Sequence, residues 1–402
     1  MTRWAQLSTN ERSVLEGVFW SHGPSRDALS LQLAFSKTRA NAVVAALIEQ
    51  GWLDEVGQRA SSGGRRAETL QLHRALGVLL CVDLGATSVE VAVLAPDLQV
   101  LASHAEPIDV RDGPAAVLSR MRTLMRELLA RSGIKPKQVF AIGVGVPGPV
   151  DFASGQLVEP PLMPQWDSYS IRDDLRADFA APVWVDNDVN LMALGELWAC
   201  QRARANFLVV KVGTGIGCGV VCHGEVYRGA NGSAGDVGHI CVDPDGPRCH
   251  CGNLGCVETM AAGPAITRAA TEAAQTGASA MLAERLNATG HLTPEDVGDA
   301  SRAGDAAANA IVQASGTLIG QMLASVVNFF NPSHVFVGGG VTRIGPLFLA
   351  SLRQSVYQRS LALSTRHLEI SYSPLGDRSG LIGAGVLAMQ EMLRGRGKVL
   401  TP

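Results

Sequence analysis

Residues 239–259 read HICVDPDGPRCHCGNLGCVET, and this stretch limits the possible folds more than any other. Cys249, Cys251 and Cys256 crowd into one short segment, with His239 ten residues upstream of the first. Gly252, Asn253 and Gly255 supply the sharp turns needed to bring the sulfurs to one point. Three thiolates and one imidazole are the ligands that tetrahedral Zn²⁺ takes in a closed structural site. His250 competes as an imidazole, but its place between two cysteines points it away. The bland reading is a set of buried, unligated thiols. Disulfides would require an oxidising compartment, and the N-terminal MTRWAQLSTNERSV has no apolar secretory core, so we expect a cytoplasmic protein. Cys81, Cys200, Cys218, Cys222 and Cys241 lie in apolar runs and read as core. Four filled ligands leave no position for a reactive water, which argues against a zinc hydrolase. The metal's expected task is to stiffen a loop and so hold His239 and the ensuing Glu258.

The rest of the chain has room for such a loop to matter. Its 402 residues, 47% hydrophobic and 18% charged, suit two or three domains with ordinary cores. The 44 glycines cluster inside apolar surroundings, which favours tight strand-to-loop junctions. No apolar run approaches the ~20 residues of a membrane-spanning helix.

Residues 1–75 form a distinct block. Ser8 or Thr9 can cap a helix through Val14, Leu15 and Val18; Ser25 can cap a short second one, and Ser36 a third, with Val43, Val44 and Leu47 facing inward. WLDEVGQ, a Ser/Gly turn with Arg65 and Arg66, and a return strand ending in Leu70 and Leu72 then make a hairpin. Three helices and a hairpin describe a winged helix-turn-helix. Its third helix would offer Lys37, Thr38, Arg39 and Asn41 to the major groove of duplex DNA, and the wing would bring Arg65 and Arg66 to a phosphate or the minor groove. A small helical interaction module would share this pattern. The block holds nine basic against seven acidic residues, whereas the remainder holds 25 against 30.

From Gly77 the texture becomes α/β. Three strand-like runs precede a helix at GPAAVLSRMRTLMRELLARSG, and strands alternate with helices thereafter, including helices at about 263–285 and 304–330. DLGATS and GTGIGCG each follow a strand and lead into another, a shape in which backbone amides can meet an anion, although a plain β-hairpin explains either alone.

Taken together, GTGIGCG, GDVGH, CHCGNLGCVE and the terminal LIGAGVLA make the chain resemble the ROK family (repressor, open reading frame, kinase) along essentially its whole length. The resemblance implies a two-lobed actin-like, hexokinase-like (ribonuclease H-like) fold around a sugar cleft, a zinc site of His239, Cys249, Cys251 and Cys256, and homodimers or homotetramers. The lobes would be 76–188 with a terminal helix at 380–395, and 189–379 carrying the zinc loop. Sugar contacts would fall on Asn187, Asp188, Asp236, His239 and Glu258. Members with an N-terminal winged helix are mostly sugar-responsive regulators; those without are mostly sugar kinases. In the kinases the equivalent of Asp188 is the general base, and ATP with Mg²⁺ would lie along Asp83, Gly85 and Thr87, along Gly213, Thr214, Gly215 and Gly217, and at Gly339.

Two departures bear on that carry-over. The family's Glu-x-Gly-His is here Asp236-Val-Gly-His, shorter by one methylene, and Ala86 stands where kinases have a second glycine close to phosphate. Other roles are available too: Asp188 could cap the next helix, Asp186 could be a solvated strand-end carboxylate, and Glu258 could cap or salt-bridge near its own helix. The expected function is a DNA-binding regulator, a repressor of carbohydrate uptake or catabolism genes that senses a sugar or sugar derivative; the alternative is an ATP-dependent sugar kinase with a DNA-binding appendage.

Overall fold

Ser8, Ser25 and Ser36 each accept a hydrogen bond from the backbone amide three residues on, and each opens a helix in the computed structural model, which describes residues 3–58 and 68–395. These helices are α1 (Thr9–Trp20), α2 (Arg26–Gln32) and α3 (Lys37–Glu49). Glu11 completes a capping box by bonding back to the Ser8 amide at 2.7 Å. Strands β1 (Leu53–Gln58) and β2 (Glu68–Leu72) pair antiparallel, Leu53 opposite Leu72. Val14, Leu15, Val18, Leu29, Val44 and Leu47 form the small core. Val43 is only half-buried, and Ala40, one turn before Val44, takes the inward place instead. Arg65 and Arg66 lie outside the described residues.

The next strands are β3 (Val78–Leu84), β4 (Ser88–Leu94) and β5 (Val100–Pro107), followed by α4 (Pro114–Arg131) and β6 (Val139–Val146). A minor hairpin, β7 (Val150–Asp151) and β8 (Gln156–Leu157), leads to α5 (Ile171–Arg176), β9 (Val183–Asn187) and α6 (Asp188–Ala199). The sheet order is β5-β4-β3-β6-β9, with β3, β6 and β9 parallel.

A second unit repeats this plan. Strands β10 (Phe207–Val212), β11 (Ile216–Cys222) and β12 (Glu225–Val226) precede α7 (Val257–Ala261), α8 (Gly263–Gln275), α9 (Ala280–Thr289), α10 (Pro294–Arg302) and α11 (Ala306–Phe330). Then come β13 (His334–Gly338), α12 (Pro346–Arg359), α13 (Ala362–Thr365) and β14 (Glu369–Tyr372). The order β12-β11-β10-β13-β14 matches the first sheet strand for strand, each glycine turn closing the β-hairpin at the sheet's centre. The helix expected over 263–285 is two helices, because Gly277 adopts φ +75° and Ser279 caps a fresh start. Helix α11 is long and apolar enough to cross a membrane by length and composition, but half of its most apolar window is buried, where Gly316 and Gly320 admit the backbone of α12.

Finally α14 (Ser379–Leu393) returns to the first unit. That unit comprises the chain up to Ala203 and from Gly380 onward; Arg204–Ser379 form the other. The division expected after Asp188 therefore moves past α6. The reason is burial: Asp188 through Leu197 are all buried, so α6 belongs to the interior of the first unit. Gly383 of α14 sits so close to α6 that a methyl there would fall 1.7 Å from the Leu191 carbonyl oxygen. Gly383→Ala should accordingly lower stability by about 1–3 kcal/mol despite its better helix propensity, a loss readable by denaturant titration.

The N-terminal head is seated on this unit through aromatic and carbonyl contacts. Trp4 stacks on Phe140 at 5.3 Å between centroids, and Trp198 Nε1 donates to the Phe19 carbonyl at 3.3 Å. Between α1 and α2, His22 holds φ +50° with its ring 4.0 Å from Trp198. Burial holds the His22 imidazole below its usual pKa, against a hydrogen bond with the Trp198 backbone that raises it. A histidine so shifted binds fewer protons folded than unfolded, so stability falls as pH drops below about 6.5 toward the folded value. His22→Asn, which tolerates positive φ, should flatten the melting temperature between pH 7 and 5, where the unaltered chain declines.

Candidate metal centre and ligand residues

The loop after Asp236 folds as its spacing demands. Single bridge pairings join Cys241 to Cys256 and Arg248 to Leu254, and the Cys249 amide donates to the Asn253 carbonyl at 2.8 Å. Gly255 is at φ +62°, where a side chain would strike the Asp243 carbonyl, so this turn needs glycine. One ligand atom each from His239, Cys249, Cys251 and Cys256 then lie within 4.8 Å of one another. His250 is not in the cluster.

The distances fit a tetrahedral metal. Cys251 Sγ is 3.7 Å from Cys256 Sγ, and Cys249 Sγ is 3.5 Å from His239 Nδ1. With Zn–S near 2.3 Å, a tetrahedron sets neighbouring sulfurs about 3.8 Å apart. Burial first, then the adjacent Cys251 and Cys249 thiols, push the Cys256 thiol well above its ordinary pKa, so three thiolates at this spacing require a cation among them. Cys241, expected in the core, is exposed instead, since its strand-like stretch edges the loop.

What the loop supports is a short polar row in the second unit. His239 turns Nδ1 to Cys249 and leaves Nε2 3.7 Å from Asp236 Oδ1, beyond hydrogen-bond reach but close enough for charge attraction. Burial would lower the His239 pKa, but Asp236, Glu258 and the Cys249 sulfur together raise it above its ordinary value. Glu258, two residues past Cys256 in α7, accepts the Ile216 amide on Oε2 at 2.9 Å. Its carboxylate thus ties the metal loop to the GTGIG turn, a contact that no sequence spacing announced. The structure brings Asp236, His239 and Glu258 together.

Asn187 and Asp188 belong to the first unit. Asn187, not Asp188, caps α6: its Oδ1 accepts from Val189 and Asn190, and its Nδ2 donates to the Gly148 carbonyl at 3.0 Å. Asp188 is the first residue of the helix, 6% exposed, where the helix dipole favours a carboxylate. Asp186 is buried and accepts from Asn190 Nδ2 at 3.0 Å, so it is no solvated strand end.

The glycine turns are less open than their sequences imply. The Gly85 amide donates to the Ser88 carbonyl, and the Gly213 amide to that of Gly215. Gly217 lies in β11 opposite Lys211 rather than in the turn with Thr214 and Gly215. Ala86 packs its methyl on the first unit's core, which removes the steric objection raised by its Cβ. Asp83 and Thr87 flank that turn, with the Asp83 carboxylate against Gly380 of α14, and Gly339 follows β13 at φ +89°.

On the head, Lys37, Thr38, Arg39 and Asn41 are exposed along the start of α3. Lys37 Nζ is 3.0 Å from Asp27, and Arg39 bonds Asn10 at 2.5 Å while lying over the Phe35 ring.

A sequence profile of the ROK family matches residues 79–391. The chain belongs to the ROK family. As a ROK protein it is 28% identical over 385 residues to the xylose repressor of Caldicellulosiruptor bescii, covering 96% of each chain. It is 32% identical over 312 residues to the glucokinase of Halalkalibacterium halodurans, covering 77% of this chain and 94% of that one. Its structure superposes with TM-score 0.77 on a ROK family transcriptional regulator described as a homologue of the E. coli MLC protein, at 26% identity and covering 96% and 98%. Both regulators match over nearly the whole of this ROK chain, head included, whereas the glucokinase alignment is too short to take in head and body together.

Proposed function

We propose that this ROK protein is a cytoplasmic, sugar-responsive, DNA-binding transcriptional regulator, a repressor of carbohydrate uptake or catabolism genes. The observation that carries the reading is the three-helix head with its hairpin, continuous with a ROK body along the length shared with a xylose repressor. Duplex DNA would be read by Lys37, Thr38, Arg39 and Asn41 of α3, with Arg65 and Arg66 on phosphate or in the minor groove. A sugar or sugar derivative would be held by Asn187 and Asp188 and by Asp236, His239 and Glu258, the last two braced by structural zinc on His239, Cys249, Cys251 and Cys256. Zinc here supplies rigidity rather than a reactive water. A homodimer or homotetramer would present two heads to operator half-sites one helical turn, ~34 Å, apart or a multiple of that. Exposed Phe329, Leu361 and Leu363 on the second unit support self-association.

The test is a gel shift with duplexes tiling the DNA beside its own gene, and a thermal-shift series with D-xylose, D-glucose and N-acetylglucosamine. Sequence-selective, salt-sensitive retardation relieved by a sugar that also raises the melting temperature is expected. Absence of selective retardation defeats the reading.

The glucokinase likeness supports the second reading, an ATP-dependent sugar kinase using Asp188 as base, with Asp83, Gly85, Thr87, Gly213, Thr214, Gly215, Gly217 and Gly339 toward ATP and Mg²⁺. An ADP-release assay over the same sugars decides it. Turnover that vanishes in Asp188→Ala would establish the kinase.

A further inference from the structure

Within the first unit, two helices run from candidate ligand residues to the seat of the head. Helix α6 begins at Asp188, capped by Asn187, and ends at Ala199. In its last turn Trp198 Nε1 bonds the Phe19 carbonyl, and just past it Arg202 Nη1 stands 3.7 Å from Glu16 Oε1, its guanidinium 3.8 Å over the Trp20 ring. Helix α14 starts with Gly380 against the Asp83 carboxylate. It ends where Arg12 of α1 donates to the Leu393 and Met392 carbonyls at 3.1 and 3.3 Å. The helices touch backbone to backbone at Gly383 and Leu191.

Such helices transmit displacement rather than absorb it. Ten consecutive buried residues, Asp188 to Leu197, leave α6 no solvent side on which to bend, and ten residues carry a shift about 15 Å. The head side is the compliant end. A half-open cleft of about 190 Å³ is lined by Phe19, His22, Leu70 and Leu72 of the head and by Asp97 and Trp198 of the body, so water reaches the joint between them. The carbonyls that accept from Arg12 are the last of α14, where Met392 also accepts the Gly395 amide at 3.0 Å, so this end of the helix is held by terminal bonds rather than by a continuing turn.

We propose that α6, with α14 packed against it, acts as a strut by which sugar at the N-terminal end of α6 resets the head, with Trp198 and Arg202 as the positioning residues that convey the shift to α1. This rests on the reading of the protein as a sugar-responsive DNA binder. Linkage requires that sugar and operator then each weaken the other's binding by one common factor.

The experiment measures operator affinity of the full chain with and without saturating D-xylose, D-glucose or N-acetylglucosamine, and sugar affinity by calorimetry. Where one of these sugars weakens operator binding by the about 5- to 150-fold common in allosteric coupling, Trp198→Ala and Arg202→Gln should each cut that ratio to about twofold or less. Sugar affinity and sugar-free operator affinity should stay near those of the unaltered chain, an outcome that a merely stabilising residue does not produce. Arg202→Lys, which restores a charge to Glu16, should recover part of the ratio. Glu16→Gln, a half-exposed surface change, gives the same readout should Trp198→Ala not fold. A full sugar effect surviving in the folded variants overturns the inference while leaving the function intact. An unaltered chain that binds no duplex, or whose binding no sugar alters, overturns the functional reading and this inference with it.

Discussion

A chain carrying Cys251→Ser and Cys256→Ser together should hold less than about a tenth of a zinc equivalent and show no sugar-induced rise in melting temperature, while its head still binds operator. The loop makes few bonds of its own: two isolated bridges and a handful of turn contacts between residues 240 and 256. Structural zinc contributes an apparent ~10–16 kcal/mol in small domains, comparable to the whole stability of an ordinary protein. Without it three crowded thiols protonate, the sulfurs separate, and α7, which starts at the residue after Cys256, loses its anchor. Glu258 then releases the Ile216 amide and His239 its orientation toward Asp236. Operator binding survives because the head belongs to the other unit. Cys241→Ser and His250→Ala are the controls and should change nothing, as neither side chain joins the cluster. Metal analysis that finds no tightly held zinc, or an undiminished sugar response in the double variant, would remove the brace from the account.

Reversing charge on the head should produce the second large effect. Lys37→Glu with Arg39→Glu is expected to weaken operator binding at least about 100-fold and reduce the slope of log affinity against log salt by about two. The present partners of these cations do not stand in the way. Lys37 and Asp27 are both about three-quarters exposed, and surface pairs of this sort contribute about 0–1 kcal/mol, less than a phosphate offers. Arg39 leaves Asn10 on the same terms, and its stack on Phe35 already extends it along the helix surface. Asn41→Ala should behave differently, losing about 1–3 kcal/mol of discrimination at one base while keeping the salt slope. A double reversal that binds as well as the unaltered chain would move the DNA surface elsewhere.

What could be read from the sequence was whatever depends on near neighbours in the chain. Serine caps, the hairpin, the paired glycine turns and the four-ligand cluster each lie within a short stretch, and each forms as its residues imply. Contacts across long separations were hidden. Nothing near Glu258 indicates the Ile216 amide, whereas the Asn187 cap was within reach of local reasoning, since asparagine before a helix is a strong N-cap signal. Val43 and Ala40 exchanged roles because inward positions on a short helix depend on its rotation against α1. The break at Gly277 was missed because the alanine-rich α8 gives little apolar periodicity to divide; α10 and α12 were missed although Thr293 and Pro294 mark the start of α10 and Pro346 that of α12. Ala86 was read from its place beside glycines as a methyl facing phosphate, whereas the turn between β3 and β4 rests it, half-buried, against the core.

The first unit is closed by a helix that follows the second unit in the chain. Arg12, near the start, is held by carbonyls at 392 and 393, and α14 arrives only after Arg204–Ser379 have been synthesised. On the ribosome, therefore, the head can settle on Phe140 and Trp198 early, but the Arg12 tie forms only once α14 has emerged. A fragment ending before residue 380 keeps the Trp198 and Arg202 contacts but lacks α14, so under the strut proposal its head would answer less fully to sugar.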